Sequence, residues 1–133
     1  MFKPIILAVL LFSTICMSQA NAQELTMIFP GLEEIEGQIM IRIKDDQGEI
    51  VKQLIQPVGS KQEEISVNLP QGRYAVSAFH DQNSNKKIDR AFTGMPKEPY
   101  GFSNNVRGSF GPPDLEDQLF ELEADKSLTI ELR

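Results

Sequence analysis

The sequence predicts an all-β fold, an antiparallel β-sandwich of immunoglobulin-like or transthyretin-like type carrying one long ordered loop. Three observations support this. Apolar and polar residues alternate with period two over residues 37–44 and 64–69, and 73–80 is apolar on both alternating faces. Turn-forming clusters separate these stretches, Asp45-Asp46-Gln47-Gly48 and Pro70-Gln71-Gly72 among them. Beyond the N-terminal segment no window sustains a helical period.

Residues 1–22 read as a signal peptide. Lys3 supplies the basic start, an apolar run follows from Pro4 to Phe12, and Ala20-Asn21-Ala22 is a small-x-small ending with cleavage expected after Ala22. A membrane anchor would need about 20 apolar residues, which this run does not reach. Cys16, the single cysteine, falls inside the segment, and Ile15 before it is not the small residue that a lipoprotein signal wants. The rest, residues 23–133, is one β-sandwich domain without cysteine, so it must be held by its core or by a bound ion rather than by disulfides.

Residues 25–29 form a short apolar run closed by Pro30-Gly31, a first strand and its turn. In 37–44, Ile39, Ile41 and Ile43 share one face, while Gln38, Met40, Arg42 and Lys44 share the other, the pattern of a half-buried strand. Residues 49–56 follow the 45–48 turn as a hairpin partner. The next strand, 64–69, points Ile65, Val67 and Leu69 inward. In 73–80, Tyr74, Val76 and Ala78 are apolar on one side, and Ala75 and Phe79 on the other, which suits the middle of a sheet or a place between layers. After a long loop, Pro113 and the acids that follow suit the start of one helical turn. Residues 119–122 and 128–132 alternate again and are expected to close the domain as a pair.

The chain carries 13 basic and 19 acidic residues, net −6, and −7 once the leader removes Lys3. Such a surface repels phosphate backbones and anionic lipid heads, so nucleic acid is excluded as a partner and no membrane insertion is expected after cleavage. It attracts cations.

The long loop opens with His80-Asp81-Gln82-Asn83-Ser84-Asn85-Lys86-Lys87-Ile88-Asp89. Oxygen-bearing side chains at alternate positions of a tight loop can converge on a hard cation, so Asp81, Asn83, Asn85, the carbonyl of Lys87 and Asp89 are the candidate ligands of a Ca²⁺ ion. Two positions depart from the EF-hand pattern: the sixth is Lys86 where a Gly makes the sharp turn, and the twelfth is Phe92, which cannot ligate. Glu98, Asp114, Glu116 and Asp117 are the carboxylates available to complete a shell. The alternative is that Asp, Asn and Ser simply favour Asx-turns and left-handed backbone in a solvated loop.

His80 is the only histidine, and a zinc site is not expected, because the single cysteine lies in the leader and there is no second imidazole. A hydrogen bond pinning the loop is its expected task, acid–base work or ligand contact the alternative. Further on, Phe92, Tyr100, Phe102 and Phe110 are interleaved with Gly and Pro, a shaped coil whose aromatics either cap the sandwich or face a ligand. Ser103 and Ser109 stand outside any Gly-x-Ser-x-Gly pattern, which argues against a nucleophilic serine.

The run Gly72-x-Tyr74-Ala75-Val76, then His80-Asp81-x-Asn83-x-Asn85-x-x-x-Asp89, then Gly94-x-Pro96-x-Glu98-x-Tyr100-Gly101-Phe102-Ser103-Asn104-Asn105 and Phe110-Gly111-x-Pro113, resembles the bacterial exported family catalogued as domain of unknown function 2141. The resemblance spans about residues 37–132 and implies a signal peptide and a β-sandwich; it supplies no substrate. Ser84 and Lys86 stand where that family tends to place glycines.

The function expected from this reading is that of an exported non-enzymatic domain, periplasmic or extracellular, for an extracytoplasmic ligand or protein. Its Ca²⁺ loop would order a ligand surface of His80, Glu98, Tyr100, Phe102 and Asn104. Two alternatives stand beside it: a hydrolase using His80 with a loop carboxylate or serine, and a structural or interaction domain of the cell envelope.

Overall fold

Alternation in the sequence becomes alternation in burial. A computed structural model describes residues 22–88 and 98–133. In β2 (Gln38–Asp45) Ile39, Ile41 and Ile43 are buried while Met40 and Arg42 face away. In β5 (Gly72–Asp81) Tyr74, Val76, Ala78 and His80 point into the core. The same pattern places Leu25, Met27 and Phe29 of β1 (Ala22–Phe29) and Val67 and Leu69 of β4 (Glu63–Pro70) inside. β3 (Ile50–Pro57) follows β2 through the expected turn, where the Asp45 carboxylate accepts the Gln47 and Glu49 amides and Gly48 takes φ +79°.

Two sheets share one core. The smaller has the order β4-β1-β8, with β8 spanning Lys126–Thr129, and the larger has the order β3-β2-β5-β6, with β6 spanning Tyr100–Phe102. A short strand, β7 (Phe120–Leu122), also pairs with β5. The fold is therefore all-β, with a single turn of α-helix (α1, Leu115–Gln118) just after Pro113 and a 3-10 turn at Ser103–Asn105. Each fully buried Leu, Ile, Phe or Met of this core is worth about 1.5–3 kcal/mol in area removed from water.

Three details differ from the sequence expectation. The last two strands do not pair with one another: β7 joins β5, and β8 runs parallel to β1, because the chain changes sheets between Leu122 and Lys126. The long loop is interrupted by β6, which pairs with Ser77–Phe79. β1 begins at Ala22, three residues before the expected run of 25–29; the leader expected at residues 1–22 lies, up to residue 21, outside the described residues.

β6 and β7 occupy the same edge of β5 and run in the same direction, since Phe102 lies opposite Ser77 and Phe120 opposite Tyr74. Together they are one strand position cut in two by an excursion. At the cut, the Ser103 hydroxyl accepts the Val76 amide and donates to the Gln118 carbonyl. It thereby satisfies the backbone group that a continuous strand would have paired. Asn104 donates to the Asp117 and Leu119 carbonyls, and Asn105 binds the Thr129 carbonyl and the Glu131 amide. Ser103-Asn104-Asn105 thus ties β5, the end of the excursion and the C-terminal segment together.

Candidate functional site: a groove on the outer face of the larger sheet

Register brings side chains distant in sequence into rows on the face turned away from the core. Ile55, Met40, Phe79 and Tyr100 lie opposite one another across β3, β2, β5 and β6. One pleat along, Gln53, Arg42, Ser77 and Phe102 form the next row. The first row is apolar throughout. The second places a guanidinium between an amide and a hydroxyl. Tyr100 and Phe102 meet edge to face, with ring centroids 5.8 Å apart.

Above these rows lies a cavity of about 1020 Å³. Gly108, Ser109, Phe110, Gly111 and Pro112 form one wall, and Lys86 and Ile88 stand at another. The Phe110 ring is fully exposed. Arg107 stacks 4.7 Å from the Tyr100 ring centre and donates to the Tyr100 carbonyl, which fixes the start of that wall. Among the described residues lining the cavity, Arg42 and Lys86 carry positive charge and no side chain carries negative charge.

The loop at the end of β5 is built around Asp81. Its side chain is completely buried, and its two oxygens accept the Asn85 amide, the Lys86 amide and the Gln38 side-chain amide. Asn83 Oδ1 accepts the Asn85 amide and Asn85 Oδ1 the Lys87 amide, so every second residue makes an Asx-type turn. Ser84 and Lys86 take φ of +55° and +63°. These are the two positions at which the sequence reading noted a departure from glycine. Among the described residues no group of three His, Cys, Asp or Glu side chains is placed to hold a metal; Asp89 and Phe92 lie outside the described residues.

Of the residues expected on a ligand surface, Tyr100 and Phe102 line the cavity. His80 faces the core, fully buried, with its Nε2 hydrogen-bonded to the Glu36 carbonyl and its Nδ1 unpartnered. It pins the connection before β2 to β5, and general acid–base work has no access to it. Glu98 is buried and accepts the Gln82 amide, closing the base of the loop. Asn104 holds the two carbonyls described above. Met40, Arg42, Ile55, Ser77 and Phe79 were missed as site residues. The signal available for them was the apolar character of both faces of 73–80, together with Met40 and Ile55 at outward positions.

A family model described as an uncharacterised protein conserved in bacteria (DUF2141) matches residues 29–131, and the chain belongs to this family. No curated protein and no solved structure matches it.

Proposed function

We propose that this chain is an exported non-enzymatic binding module, periplasmic or released, whose ligand is a small amphipathic molecule lying in the groove over β3, β2, β5 and β6. The observation that carries this reading is the row Ile55–Met40–Phe79–Tyr100. A sheet face turned to water alternates toward polar residues; this one carries an apolar row across four strands and lies under a wall of chain. Small-molecule sites are concave, mostly apolar and supplied with a few polar groups, with volumes of about 300–1,000 Å³. The groove meets that description at its upper end.

A neutral apolar fluorophore, N-phenyl-1-naphthylamine, tests the reading. Its emission is expected to rise on adding the protein, and Phe79→Ser is expected to abolish the rise while leaving the fold intact by circular dichroism. No enhancement, or enhancement indifferent to Phe79→Ser, overturns the proposal.

One observation favours a second role for the neighbouring turn, in which Asp81, Asn83, Asn85, the Lys87 carbonyl and Asp89 bind Ca²⁺ and brace the groove wall. Lys86 adopts a left-handed conformation at the sixth position, where calcium loops place Gly. Against it, the described side-chain oxygens already accept backbone amides and bring a single carboxylate. An ion that binds only the native state raises the melting midpoint by mass action. Equal midpoints in EDTA and in millimolar CaCl₂ remove the ion.

A further inference from the structure

We infer that the groove's ligand carries a carboxylate bound by Arg42, with its apolar body lying along the row Ile55–Met40–Phe79–Tyr100; this deepens, and rests on, the groove reading above. Arg42 occupies β2, an inner strand of the sheet, so its guanidinium rises from the floor rather than from the rim. Its cross-strand neighbours are Gln53 and Ser77, both uncharged hydrogen-bonding groups.

Among the described residues no acid forms an ion pair with it: the ion pairs are Arg73–Glu116 and Arg133–Glu131, neither in the groove. Asp81, the carboxylate at the end of the adjoining strand, is spent on the Asn85 and Lys86 amides and on Gln38. In a chain with 19 acids against 13 bases, a groove whose described lining holds two cations and no anion reverses the overall sign. Low-dielectric walls concentrate the field of such a charge on whatever enters. A guanidinium presents a planar fork that matches a carboxylate in two parallel hydrogen bonds, which a compact ammonium cannot do.

The spacing sets the shape of the ligand. Successive outward residues on one strand stand about 7 Å apart, so the acid group and the nearest part of the apolar body are separated by about that distance. Lys86 on the wall adds a second positive charge for an anion lying off the centre of the floor.

The test uses cis-parinaric acid and its methyl ester, read by probe fluorescence against protein recovered from an exporting host. The acid is expected to bind at least tenfold more tightly than the ester. Arg42→Met is expected to bring the acid down to the ester's affinity and leave the ester unchanged, and Arg42→Lys to retain part of the preference. Phe79→Ser is expected to weaken both probes. If acid and ester bind the wild type alike, or if Arg42→Met weakens both equally or neither, the carboxylate inference falls while the groove survives. If neither probe binds a protein that melts normally, the groove reading falls with it.

Discussion

On β2 and β5 the inward and outward side chains alternate residue by residue, yet the two faces meet different surroundings. Inward, Ile39, Ile41, Ile43, Val76 and Ala78 press against the other sheet and are buried. Outward, Met40 and Phe79 are only half-buried, and Arg42 is exposed. The first face is sealed by partners that belong to the chain. The second is equally apolar over one row but is covered by a wall that leaves room. Hydrophobicity alone does not separate a core from a binding site; what separates them is whether the chain itself fills the space.

The largest test of that contrast is a pair of truncations on adjacent residues. Ile41→Ala leaves a cavity in the shared core and is expected to cost about 2–5 kcal/mol, measured by urea denaturation. Met40→Ala on the outward face is expected to stay within about 1 kcal/mol, since its side chain gives up little packing. Equal losses at the two positions would mean that the outer row is a second core closed by the chain, and the groove would lose its claim to a ligand.

The edge of the sheet supplies the next test. Ser103→Ala strips the Val76 amide of its acceptor and the Gln118 carbonyl of its donor, both in the interior. A loss of about 2–6 kcal/mol is expected, given about 1–3 kcal/mol for each of the two buried groups left unpaired. Faster hydrogen exchange at Val76 would locate the damage at the split strand. Ser109→Ala, on the exposed groove wall, is expected to change neither stability nor exchange.

What the sequence revealed follows the same division. β2 and β4 were legible because sustained alternation of apolar and polar residues has one structural reading, and β5 because a run of strand formers apolar on both faces suits the middle of a sheet. β6 was not, because Tyr100-Gly101-Phe102 is three residues long and sits among prolines and glycines. Its pairing also depends on a crossing that no local pattern announces. The C-terminal segment passes so close to Gly101 that a Cβ there would stand 2.3 Å from the Glu131 carbonyl oxygen, which explains the glycine only after the fold is known. The turn at Asp81 was legible as an oxygen-rich loop, and its Asx geometry agrees with the preferences of Asp and Asn. The groove was hidden because Met40, Ile55, Phe79 and Tyr100 meet only through the register of four strands.

On the outward side the Asp81 turn stores backbone strain that the inward face lacks. Lys86 holds a left-handed conformation that costs a side-chain-bearing residue about 1–2 kcal/mol. Lys86→Gly relieves it while adding backbone entropy to the unfolded chain. The net expectation is a gain of about 0.5–1 kcal/mol, seen as a raised melting midpoint. Because Lys86 also contributes charge to the groove, the same variant is expected to weaken an anionic probe slightly. A gain in stability without that loss would confine the positive charge of the groove to Arg42.

The smallest effect belongs to the inward face and tests its dryness through Tyr74. Its hydroxyl donates to the Pro70 carbonyl at 2.7 Å, and burial, with the charge of Asp45 adding to it, raises the phenol above its ordinary value near 10. The folded state therefore holds this proton more tightly than the unfolded chain does. Stability from that difference is present in full below the unfolded value and is lost as pH rises from there through the folded one. Melting midpoints between about pH 9 and 11.5 should fall more steeply for the wild type than for Tyr74→Phe, which has no proton to lose. Parallel curves would mean that water reaches the Tyr74 hydroxyl, and that the inner face at this corner is no drier than the groove on the other side of the sheet.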